Sequence, residues 1–175
     1  MRIFRFIKRW VYEEEALAAV EAAMIFPIMC TLLLGIFDIG NGILANQKTI
    51  RASQVVADLV ARSSTVSAGE INEAIEAGRL AFEPMDDSSY GIDIVSVKFD
   101  ASENMQVVWR QTQNMSPISD ITTRLSPLSA PNEGAVMVAV QYKFEPLFVG
   151  FVTQDINMQE VAFSRGRESA VVNLE

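Results

Sequence analysis

The 175-residue sequence contains no histidine, which excludes Ser-His-Asp and Cys-His nucleophilic catalysis and every metal site that needs imidazole. Cysteine is nearly absent too. With Cys30 alone no intramolecular disulfide can form, and this thiol sits inside an apolar run, where it acts as a small hydrophobic group. Basic charge is scarce beyond the first dozen residues. Fourteen Lys and Arg stand against 22 Asp and Glu, for a net charge of −8. Arg2, Arg5, Lys8 and Arg9 put residues 1–12 at +4, so the other 163 residues sum to −12. An acidic chain without a basic stripe cannot neutralise phosphates, and nucleic-acid binding is not expected. The acids Glu70, Glu73, Glu76, Asp86, Asp87 and Asp93 are dispersed, without the spacing of a calcium loop or an acid/base pair. No enzyme activity, cofactor or metal is expected.

Apolar residues, by contrast, are abundant. They make up 50% of the chain, and the mean hydropathy of +0.21 comes chiefly from the segment between Ala16 and Phe37. That segment exceeds the roughly 20 residues needed to cross a hydrocarbon layer about 30 Å thick. A cleaved secretory signal has a shorter apolar region ending in a small-residue site, whereas this run continues into Gly35, Asp38 and Gly40. A basic head before a spanning run keeps the N-terminus cytoplasmic and sends the acidic remainder outward.

Helical spacing persists past the apolar run. Ile36, Ile39, Ile43, Ile50, Val55, Val56, Leu59 and Val60 recur among Asn41, Gln47, Lys48, Arg51 and Asp58, predicting one helix from Leu17 to about Arg62. Its first half would lie in lipid and its second half would lay an apolar stripe on a domain. A second helix is expected over Ala68 to Phe82, with Ile71, Ile75 and Leu80 apolar, stopped by Pro84. From Gly91 the period becomes two. Val95, Val97 and Phe99, then Met105, Val107 and Trp109, read as a hairpin through Asp100–Asn104. Val136 to Phe144 is the clearest strand, and Ile156 to Ser164 a fourth, with a bulge between Met158 and Val161. Gln113 to Gly134, with three prolines, reads as a long surface loop.

The expected fold is therefore α+β, a long N-terminal helix packed on an antiparallel sheet of about four strands. Residues 1–16 form a basic leader, 17–37 a transmembrane segment, 38–65 the amphipathic continuation and 66–175 an extracytoplasmic domain.

Glu21 lies near the start of the apolar run, where a carboxylate costs several kcal/mol unless it is paired or close to the interface. It either has a partner or reaches the cytoplasmic boundary. Pro27 frees a carbonyl one turn earlier, which either kinks the helix or is simply tolerated. Asp38 marks the outer membrane edge.

The order basic head, Ala18-Ala19-Val20-Glu21, apolar run with Pro27, then Gly35-Ile36-Phe37-Asp38-Ile39-Gly40 resembles the TadE/TadG-like pseudopilins of the tight-adherence (Flp) pilus system. Tyr142–Pro146 and Asp155–Arg167 are similar to the end of that family. The resemblance implies a pilin-like subunit, single-pass in the inner membrane with a periplasmic C-terminal domain, acting in assembly of a tight-adherence type IV pilus. Its partners would be a prepilin peptidase, other pilin-like subunits, the secretion machinery and the lipid bilayer. In such proteins the peptidase cuts before the apolar run, and a Glu at mature position five pairs with the new amine of a neighbouring subunit. Placing Glu21 at position five implies a cut between Ala16 and Leu17. The residues alone also allow an uncleaved single-span envelope protein with an exterior binding domain.

Overall fold

The computed structural model describes residues 14–148 and 154–175, so the basic leader up to residue 13 lies outside the described residues. The elements run α1 (Glu14–Val60), β1 (Thr65–Val66), α2 (Ala68–Leu80), β2 (Gly91–Phe99), β3 (Met105–Gln113), α3 (Ile121–Leu125), a 3-10 turn (Ser126–Leu128), β4 (Gly134–Phe144), β5 (Ile156–Ser164) and β6 (Asn173–Leu174). The fold is α+β, with a long N-terminal helix and an antiparallel four-stranded sheet ordered β3-β2-β4-β5. Two compact units divide it: residues 1–41 with 146–154, and residues 42–145 with 155–175.

The second unit is built around β4. Its alternation puts Val136, Val138, Val140, Tyr142 and Phe144 on one face, where Ala45, Ala52, Val56, Ala57 and Val60 of α1 meet them. The helix stripe is made of smaller residues than the sequence pattern indicates. Ile43 is 57% exposed, while Ala45, Thr49, Ala52 and Ser53 are buried. Small side chains let a helix lie close on a sheet. The hydroxyls tolerate burial because Thr49 Oγ1 donates to the Ala45 carbonyl at 2.9 Å and Ser53 Oγ to that of Ile50 at 2.8 Å.

α2 starts at a reciprocal cap. The Glu70 amide donates to Ser67 Oγ, and the Ser67 amide donates to Glu70 Oε2 at 2.7 Å. Its buried residues are Ile71, Ala74, Ile75 and Gly78, whereas Leu80, expected on the apolar face, is 55% exposed. Phe82, just beyond, takes the core place and stacks on Tyr142 with ring centroids 4.6 Å apart.

Three sequence expectations change. First, the stretch 113–134 is more than a surface loop. Ile118, Ile121 and Leu125 are buried against Val95, Val97, Phe99, Met137 and Ala139 on the second face of the sheet. Those three apolar residues, at spacings of three and four, are diluted by proline and serine, so the pattern is weak in the sequence. Second, the bulge lies in the hairpin and not in the last strand. β4 and β5 pair in unbroken register, whereas β2 and β3 shift between Ser96 and Val97. Val97 pairs with Val107 and Ser96 with Trp109, so Val108 is the extra residue. The extra residue inverts the alternation, and Trp109 points to the opposite face from Met105 and Val107. Third, residues 165–175 form a C-terminal strap, which the sequence pattern does not reveal. Its β6 pairs in parallel with β1, and the Arg167 amide donates to the Ala61 carbonyl at 2.9 Å.

Candidate membrane and assembly site

The first half of α1 is the unit's functional candidate. A helix forms here because the run is rich in Ala, Leu, Ile and Met, and its helical assignment passes unbroken through Pro27. Thr31, one turn on, donates its hydroxyl to the Pro27 carbonyl at 2.9 Å. The most apolar window reaches a mean hydropathy of 2.2 with none of it buried. Met24 and Phe26 are each 69% exposed, and Leu33 is 68% exposed. An uncovered apolar surface of this extent on a helix is stable only in a nonaqueous setting, and among the described residues this is the one helix long and apolar enough to cross a membrane.

Glu21 is exposed within this apolar surface. Among the described residues, the ion pair nearest to it along the chain is that of Asp58 with Arg62. Leu17 stands one turn before Glu21, and side chains four apart share a helix face. Ala16 and Leu17, the expected processing pair, thus lie in the opening turns of α1.

Asp38 does more than mark an edge. It is 1% exposed, and its two carboxylate oxygens accept the amides of Leu147 and Phe148, each at 3.1 Å. The two donors are 109 and 110 residues away in sequence, so no local pattern signals the contact. Phe37 beside it meets Phe148 edge to face, with centroids 6.5 Å apart.

Residues 17–58 match the family model for TadE-like protein. The match begins at Leu17 and ends within the last turn of α1, so the TadE-like segment is the helix itself, including Glu21, Pro27 and Asp38. The resemblance read from Glu21, Pro27 and the Gly35–Gly40 stretch is the one found, while the basic head and the Tyr142–Arg167 region lie outside the match. No curated protein and no solved structure matches the chain.

Among the described residues outside the TadE-like segment, Asp93 is a fully buried carboxylate with several donors around it. It accepts from Arg110 Nε at 2.9 Å, Arg110 Nη2, Thr112 Oγ1 at 2.7 Å and the Ile118 amide at 2.9 Å. Burial pushes its carboxyl up, but Arg110, the Ile118 amide and Thr112 together outweigh burial and hold it below the usual aspartate range. Four donors saturate the carboxylate and leave it nothing to offer a substrate. It is a clasp that fastens the 114–120 segment to the sheet. Asp86 accepts from Ser88, and Asp87 pairs with Arg79 at 3.2 Å, so both are engaged locally.

Proposed function

We propose that the chain is a minor pilin-like subunit that acts in assembly of a tight-adherence pilus and has no enzymatic activity. Its N-terminus is cytoplasmic, α1 crosses the inner membrane, and the sheet domain lies in the periplasm, an orientation supported by the basic head and acidic remainder. The observation that carries the reading is Glu21, a carboxylate exposed in the apolar face of a TadE-like helix. A carboxylate and an ammonium are each costly in lipid and tolerable as a pair. A prepilin peptidase cutting between Ala16 and Leu17 would create that ammonium. Pairing of the Leu17 amine of one subunit with Glu21 of the next would fix the axial register of assembly among pilin-like subunits and the secretion machinery.

Mass measurement of the native protein's N-terminus tests the reading. A chain beginning at Leu17 is expected. A chain beginning at Met1 overturns the processing step and favours an uncleaved envelope protein with an exterior binding domain.

A further inference from the structure

We propose that Leu147 and Phe148, just beyond β4, form a second contact with the lipid surface, held by the Asp38 carboxylate at the height where α1 leaves the bilayer. The proposal rests on the reading that residues 17–37 cross a membrane. From Leu17 to Phe37 the helix rises about 30 Å, the thickness of the hydrocarbon layer, so the next residue, Asp38, stands at its boundary. Both oxygens of Asp38 are taken by the amides of Leu147 and Phe148 at 3.1 Å, charge-assisted bonds that fix this stretch of backbone at the same level.

What the tether presents there is apolar. Leu147 is 72% exposed, comparable with Ile36 of the helix at 71%, while Phe148 turns its ring onto Phe37. The Asp38 bonds and the Phe148–Phe37 contact hold Leu147 beside the end of the run that exposes Leu33, Ile36 and Phe37, which faces lipid in this reading. Lys143 Nζ bridges the two flanking acids, 2.7 Å from Glu145 Oε1 and 2.8 Å from Asp155 Oδ2, and offsets one of their two charges. Asp38 thus acts as a spacer: it buries a charge that would be costly at this depth by spending both oxygens on backbone amides, and in return sets how deep the loop sits.

The test uses the full chain carrying Cys30→Ala, with a single environment-sensitive fluorophore attached to Leu33→Cys, Leu147→Cys or Ser102→Cys on the polar β2–β3 turn. The probe is a phosphatidylcholine/phosphatidylglycerol vesicle containing lipids with a nitroxide near the headgroup end of the acyl chain. Quenching at position 147 is expected to come within about twofold of that at position 33, with position 102 at background, as for a segment seated at the headgroup boundary. Quenching at 33 without quenching at 147 overturns the proposal and leaves the membrane anchor standing. That includes the case of blue-shifted emission at 147, which would assign a second copy of the chain or another protein surface as the cover. Absence of quenching at both positions overturns the anchor itself and this proposal with it. Asp38→Ala should at least halve the quenching at 147 and leave that at 33 unchanged. Equal quenching at 147 with and without the carboxylate would overturn its role as the tether.

Discussion

The indole Nε1 of Trp109 donates to the carbonyl of Val172 at 2.9 Å, and Ser96 Oγ donates to the same oxygen at 2.7 Å. The bulge in β3 is what makes this possible, because it turns Trp109 onto the face where the C-terminal strap passes. One buried acceptor thus closes the strap over two strands. Trp109→Phe removes the indole donor and leaves Ser96 on the carbonyl, so the lost hydrogen bond should cost about 1 kcal/mol and the space left by the pyrrole ring should add to it. Adding Ser96→Ala orphans the carbonyl, and the double variant should lose more than the two single losses combined, by a further ~1 kcal/mol or more. Denaturant unfolding of the full chain in detergent, with tryptophan-independent circular dichroism, checks this. A strictly additive double variant would disprove the shared acceptor.

Two glycines in α2 should respond to alanine with opposite signs. A Cβ at Gly69 would meet only Ser67 Oγ at 3.8 Å, so Gly69→Ala should stabilise by up to ~1 kcal/mol through helix propensity. A Cβ at Gly78 would fall 2.5 Å from Tyr90 Oη and 2.6 Å from Val56 Cγ2. Val56 is fixed in α1, so the clash outweighs the propensity gain and Gly78→Ala should destabilise by about 1–3 kcal/mol. Thermal unfolding of the two variants beside the parent decides it.

Asp93 should give the domain an acid limb. Its folded pKa is depressed, so its contribution is complete above the unfolded aspartate value and is lost as pH falls through the folded one. Stability should therefore drop as pH falls through about 4, where unfolded aspartate is half protonated while the folded group is still charged. Asp93→Asn leaves Arg110 half-buried without its counter-ion and should cost about 3 kcal/mol at neutral pH. The same variant should also flatten the acid limb. An unchanged slope of stability against pH in Asp93→Asn would assign the acid response elsewhere.

Val138 pairs with Ile94 on one side and Ala162 on the other and is fully buried. Val138→Asp places an unpaired charge in the centre of the sheet and should cost several kcal/mol, enough to leave the domain protease-sensitive at 25 °C. Limited proteolysis against the parent reads this directly.

Glu21→Ala and Glu21→Gln should leave membrane insertion unchanged, because each removes a charge that is costly in lipid. Pilus formation should fall in both. A bulky residue at Ala16 should give the same assembly defect with a heavier protein. Intact pili from Glu21→Ala would remove the pairing role, whatever the N-terminus of the native chain.

Periodicity was sufficient to establish the elements that repeat over many residues: the helix from the membrane run to Val60, the strand Val136–Phe144 and the α+β class. In each, the same side-chain spacing is reinforced turn after turn or residue after residue, so one substitution cannot hide it. Glu21 and Pro27 stand out in the sequence for a related reason, since each contradicts the apolar run around it. Contacts between residues far apart in sequence were decided only by the tertiary structure. Nothing near Asp38 announces that it will bind the amides of Leu147 and Phe148, and nothing near Val172 announces Trp109. Burial of Ile118, Ile121 and Leu125 depends on a sheet face that exists only after four strands have paired. The bulge at Val108 also escaped the pattern. A single extra residue reverses which face Trp109 serves, and period-two reading sees which residues alternate but not where the partner strand slips by one.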